Sequence, residues 1–152
     1  MSKFTKTLLV SPLSDGYRWV IRDEFSYDVG ELGSGDTIYV PLNFVTDFAS
    51  VPRVLWWLFP KWGIYGNAAV IHDWLYWDQY KKRKTSDDIF LEAMEVLGVP
   101  KWKRYLLYQS VRIFGWFAWN SNKKDRNKNG TESKMVSFDE FPFCYLKGEK
   151  NE

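Results

Sequence analysis

The hydrophobic period of the chain changes once, near residue 47. Before that point apolar residues come in short mixed runs. Tyr17-Arg18-Trp19-Val20-Ile21-Arg22 follows an Asp15-Gly16 turn signal, Phe25 to Val29 alternates, and Thr37 to Pro41 comes after the loop Gly30 to Asp36. Such runs predict strands, here a small twisted antiparallel sheet or a pair of hairpins. After residue 47 the spacing becomes helical. Val51 to Phe59 reads as a short aromatic helix stopped by Pro60. Asn67 to about Tyr80, Thr85 to Leu97 and Trp102 to Trp119 read as three longer helices. The predicted fold class is α+β: an antiparallel β region over 1–46 and a three-helix core within 47–119, forming one domain. Residues 120–134, polar and rich in Asn and Lys, read as a mobile linker. Residues 135–152 read as a tail whose apolar part, Val136 to Leu146, docks back.

The register of the 85–97 helix singles out one acid. Its apolar positions are Phe90, Leu91, Met94 and Leu97, and counting back from them lands on Asp87. Asp88 lines up with Glu92 and Glu95 on the wet face. An acid on a buried face needs a partner. The preceding helix offers the only histidine in the chain, in Ala68-Ala69-Val70-Ile71-His72-Asp73-Trp74-Leu75-Tyr76. A His72–Asp87 hydrogen bond would fix the imidazole tautomer and raise its basicity. Tyr76, four residues on, shares the face of His72, while Asp73 points elsewhere. Plainer roles exist for each residue. A lone core histidine is usually a satisfied structural group. Thr85 with Asp88 fits a capping box. Asp73 suits a surface acid, and Asp47 a turn or cap acid.

Composition narrows the chemistry. The chain has 152 residues and a net charge of +2, which gives no indication of nucleic-acid binding. One cysteine, Cys144, excludes an internal disulfide framework and suits a reducing compartment. No signal peptide is visible, and no apolar run approaches a membrane span. A single histidine and a distant cysteine cannot build a zinc site. A hard cation held by oxygens fits better. Calcium takes six to eight, from carboxylates, carbonyls and water, with Asp73 and Asp47 as the candidate acids. Aromatic residues make up 19% of the chain. The densest run, Leu55 to Trp62, suits either core packing or a membrane-interface surface. Trp116 to Trp119 could extend such a surface or make a subunit contact.

Four stretches together carry a resemblance: FVTDFASVPR, AAVIHDWLY, RKTSDDIFLEAM and YQSVRIFG. From about Val40 to Gly115 the chain resembles a family of uncharacterised proteins found in tailed phages, prophages and bacteria. That likeness implies a protein of the host cytoplasm or of the virion particle, with phage structural proteins as partners. The same core is similar to the catalytic helices of secreted phospholipase A₂, particularly the bacterial type. The matching positions are His72, Asp73 and Tyr76 on one helix, Asp87 and Phe90 on the next, and Tyr108, Gln109, Val111, Arg112, Phe114 and Gly115 on the last.

The phospholipase likeness implies roles. His72 would be the base that activates water, at a surface opening, and Asp87 would orient it. Tyr76 and Tyr108 would hydrogen-bond Asp87. Asp73, Asp47 and backbone carbonyls near Phe48 would hold calcium, which would polarise an ester carbonyl. The substrate would be a membrane phospholipid or another ester. The chain departs from those enzymes in its missing disulfides, its extra β region, and Gly63-Ile64-Tyr65-Gly66, which lies too near His72 to be their calcium loop. These departures leave a second reading open: a virion or tail-associated component, or a host-factor-binding protein, without turnover.

Overall fold

The computed structural model describes residues 4–47 and 63–136. The aromatic helix expected over Val51 to Phe59, the Leu55 to Trp62 run, Phe48, and the tail beyond Val136 lie outside the described residues.

The N-terminal region is antiparallel β. Strands β1 (Val10–Pro12), β2 (Trp19–Ile21) and β5 (Val45–Thr46) form a three-stranded sheet in the order β1-β2-β5. Strands β3 (Phe25–Asp28) and β4 (Thr37–Val40) form a separate hairpin with Phe25 opposite Val40 and Asp28 opposite Thr37. Asp28 closes that hairpin. It accepts from the Thr37 hydroxyl at 2.6 Å and from the Gly33 amide at 2.8 Å. These bonds hold its carboxyl below the usual aspartate value.

Three helices follow: α1 (Gly66–Asp78), α2 (Arg83–Val96) and α3 (Lys101–Asn129), then a 3₁₀ turn over Thr131–Lys134. The fold class is therefore α+β, as the change of period implies. Helix α1 is the central element. Ala68, Ala69, Val70, Ile71 and Leu75 are fully buried, and α1 meets α2, α3, β4 and β5. A helix apolar on most sides needs cover on most sides. Only residues 79–82 join α1 to α2, and the two helices pack together, so the chain doubles back as a helical hairpin. Glu92 does not face water alone, as its register suggested. It accepts from the Tyr27 hydroxyl at 2.7 Å and the Gly30 amide at 2.8 Å, tying α2 to the β hairpin.

Helix α3 corrects the expected end at Trp119. Residues 120–129, read above as part of a mobile linker, continue the helix. They bury little apolar surface, so no hydrophobic period marks them. They are held by polar bonds to the far end of α1. Asn122 donates to the Tyr76 carbonyl at 3.2 Å, and Arg126 donates to the carbonyls of Trp77 and Asp78. The last carbonyls of any helix lack intrahelical partners, and cationic or amide side chains satisfy them. Gln79, left-handed at φ 58°, ends α1 and donates to the Trp119 carbonyl at 2.8 Å. Past the 3₁₀ turn, Met135 bridges to Phe44, and the Val136 amide donates to the Asn43 carbonyl.

Candidate functional site

Helices α1, α2 and α3 converge on the carboxylate of Asp87. His72 and Asp87 stand 2.9 Å apart, Nε2 to Oδ1, inside the 2.6–3.2 Å range expected of a dyad. The Tyr76 hydroxyl donates to the same oxygen at 2.6 Å. Arg112 of α3 donates to Oδ2 at 2.7 Å, and the Arg83 guanidinium lies 3.6 Å from it. Asp87 is thus bonded by Tyr76 and Arg112, both obligate donors here, and flanked by two cations. An acceptor-only, ionised carboxylate fits that shell. Burial pushes the Asp87 carboxyl up, but the hydrogen bond and charge of His72, then the bonds from Tyr76 and Arg112, outweigh it. The group rests below the usual aspartate value. With Asp87 ionised, Nε2 of His72 is the nitrogen placed to donate to it.

The surroundings lock the imidazole. Its ring lies 4.7 Å from Phe90, stacked, and 4.1 Å from the Tyr76 ring, centroid to centroid. Burial and then Asp87 raise the Tyr76 hydroxyl well above its ordinary pKa, so it stays a donor. Tyr76 also packs edge-on to Trp119. Gly115 lets α3 come this close: a Cβ there would meet the Tyr76 hydroxyl inside contact distance. The expected surface opening is not found among the described residues. His72 is 2% exposed and Asp87 0%. In the interior the bonds and ion pairs to Asp87 escape competition from water, and they offset the cost of burying its charge.

Other expected residues sort differently. Tyr108 does not reach Asp87. It donates to Asp88 at 2.8 Å, and Lys84 donates to the other Asp88 oxygen at 2.6 Å. Tyr108 stands one helical turn before Arg112, so it meets the outer acid while Arg112 takes the inner one. The capping box is absent too: α2 begins at Arg83, before Thr85, and its N-cap, Lys82, makes no side-chain bond. Asp73 is half-buried and accepts from the Thr46 hydroxyl of β5. That bond brings Asp73 to the junction where the chain continues into Asp47, which is exposed. Among the described residues, no three His, Cys, Asp or Glu side chains gather as a metal cage.

Arg112, Arg83 and Thr46 carry roles that the hydrophobic pattern does not mark. For Arg112 a signal existed. A buried carboxylate with only a neutral imidazole and a phenol as partners lacks a countercharge, and Arg112 is the basic position nearest Gly115 on the third helix.

Residues 19–111 match the family described as "Protein of unknown function (DUF1353)". The chain belongs to that family. The match runs from β2 into α3 and takes in His72, Asp73, Tyr76, Asp87 and Tyr108. The chain is also similar to the uncharacterized protein y4jT of Sinorhizobium fredii (strain NBRC 101917 / NGR234). The two are 36% identical over 80 residues, which is 50% of this chain and 23% of the relative. The chain therefore spans less than a quarter of that relative's length. No solved structure matches it.

Proposed function

We propose that this protein is a phospholipase A₂-like hydrolase of phospholipid or related ester substrates, with His72 as the base. The observation that carries the reading is the Nε2–Oδ1 bond between the chain's one imidazole and a buried carboxylate. In this reading Nδ1 of His72 takes the proton of an attacking water. Asp87 stabilises the imidazolium that forms, as an acid behind a catalytic histidine does. Tyr76 and Arg112 hold Asp87 in place. The burial of His72 means that turnover requires its pocket to open.

Calcium is the proposed cofactor. Asp73, Asp47 and the Phe48 carbonyl would hold it, with the Thr46 hydroxyl beside them. The donor set is all hard oxygen, which fits calcium. Two carboxylates fill only part of its shell, so carbonyls and water would supply the rest. When bound, the ion would polarise the ester carbonyl.

The test is fatty-acid release from phospholipid vesicles, with calcium or with chelator, by wild type, His72→Gln and Asp73→Asn. Chelator and His72→Gln should each abolish release. Asp73→Asn should recover part of it at higher calcium. No release by the wild type, or full release by folded His72→Gln, ends the reading.

The burial of His72 at 2%, together with a bonding shell that spans three helices, favours a second reading. On it the cluster is a structural tie, and the protein is a non-catalytic virion or tail component, or a host-factor binder, of the kind the phage-family resemblance implies. It predicts no turnover under any condition and a large loss of stability in His72→Gln.

A further inference from the structure

Helix α3 turns Leu107, Ser110, Val111 and Gly115 inward. Its opposite face carries Trp102, Tyr105, Leu106, Ile113, Trp116 and Phe117, all exposed, from 37% at Leu106 to 67% at Phe117. Their spacing follows the helical repeat, so they form one stripe rather than scattered contacts. The stripe is about 22 Å long at the rise of an α-helix. Half-exposed aromatic and aliphatic side chains of this number present roughly 600 Å² of apolar surface, at the upper end for the largest patch on a monomer. Positive charge stands at both ends of the stripe. Lys101 and Lys103 flank its first residue, Trp102; Lys123, Lys124 and Lys128 follow it, and Asp125 is the sole acid in the helix.

We propose that this face of α3 is a docking surface for an anionic lipid bilayer, lying in the plane of the interface with its rings at headgroup depth. Three observations select this occupant. The stripe is rich in Trp, Tyr and Phe, side chains with an apolar body that suit the headgroup boundary. Basic residues frame it, as they do on helices that lie on anionic membranes. No described helix is long and apolar enough to cross a membrane, so the helix would lie on the surface. A second copy of this chain fits less well. Stripe against stripe would bring lysine-bearing ends together in either orientation, and roughly 600 Å² falls short of the ~800 Å² per partner of a stable interface. The proposal does not depend on the hydrolase reading, since a protein can dock on lipid without turning it over.

The full chain would be tested by co-sedimentation with vesicles of phosphatidylcholine and phosphatidylglycerol in equal parts, and with phosphatidylcholine alone. Three variants would be compared with wild type: Trp102→Ser/Trp116→Ser/Phe117→Ser; Lys101→Glu/Lys123→Glu/Lys124→Glu; and Leu9→Ser, which removes an exposed apolar residue elsewhere. Wild type and Leu9→Ser should bind the anionic vesicles, with binding falling steeply at about 0.5 M salt. Both triple variants should bind at least ~10-fold more weakly, with unchanged circular dichroism. If a triple variant misfolds, single substitutions and quenching of wild-type tryptophan emission by brominated lipid replace it, and quenching should appear only with anionic vesicles. No binding by the wild type, full binding by the folded stripe variant, or a wild-type dimer that the stripe variant abolishes would each overturn the proposal. Absence of lipid hydrolysis bears only on the hydrolase reading.

Discussion

Two regions of this protein use aromatic and charged residues in opposite ways. Around Asp87 they face inward, and the carboxylate is met by hydrogen bonds from His72, Tyr76 and Arg112. Along the outer face of α3, rings and lysines face outward and stay largely exposed. The inner arrangement is expensive to disturb, because a charge left without its partner in the interior cannot recover its hydration. The outer one is cheap to disturb in the isolated protein, since its groups are already in water. The contrast separates residues that hold the fold from residues available to meet something else.

The largest effect should come from the inner region. Asp87→Ala removes the acceptor on which three donors converge and leaves Arg112 and His72 facing a void. We expect a loss of about 3–5 kcal/mol in urea unfolding, as for one partner taken from a buried pair. The pH dependence has a definite sign. The folded-state pKa of Asp87 lies below its unfolded value of 3.8. Its contribution is therefore fully present above that value and is lost as pH falls through the folded value. The stability gap between wild type and Asp87→Asn should narrow as the pH drops below about 4. A gap that holds constant into strong acid would show that Asp87 is not held ionised.

A smaller effect should come from the contact that lets α3 approach. Glycine in mid-helix costs about 1 kcal/mol relative to alanine, so Gly115→Ala would stabilise an exposed helix. Here the new methyl would strike the hydroxyl of Tyr76, which is only 4% exposed and has little room to retreat. The expected result is a net loss of about 1–3 kcal/mol, the range of an overpacked core. Adding Tyr76→Phe removes the struck oxygen, so the double variant should lose less than the two single losses combined. Strict additivity in that cycle would mean that the two helices do not meet as described.

How much of this was legible in the sequence depended on whether apolar spacing carried it. The period placed β2, β3 and β4 but not β1 or β5, brought α1 to α3 close to their observed starts, and put Asp87 rather than Asp88 on the inner face. It failed wherever polar bonds at long range do the ordering. Residues 120–129 show no apolar stripe, and what keeps them helical is Asn122 and Arg126 reaching carbonyls of α1, more than 40 residues earlier. Tyr108 was placed on the right helix, but which of two adjacent acids it bonds depends on the rotation of α3 against α2. The bond from Thr46 to Asp73 joins residues 27 apart, and nothing local marks either side chain for the other. The burial of His72 has a related cause: a catalytic motif implies access, whereas the ring packs against Phe90 and Tyr76 and is 2% exposed.

The smallest effect on stability should come from the outer face. Replacing Trp102, Trp116 and Phe117 with serine removes large apolar side chains, but each is more than half exposed. Surface substitutions of this kind usually stay within about 0.5 kcal/mol each. Some loss of helix propensity and of the Trp116–Phe117 ring contact is included in that figure. The urea midpoint should therefore move far less than in Asp87→Ala, and its slope should not change, since little surface leaves the core. A loss of several kcal/mol would mean that the stripe packs against the rest of the chain in solution, and the contrast between the two regions would collapse. A small loss would show that these three large apolar residues contribute little to the fold. Their arrangement on one helical face would then need an explanation outside the isolated chain, which vesicle binding by the same variant tests directly.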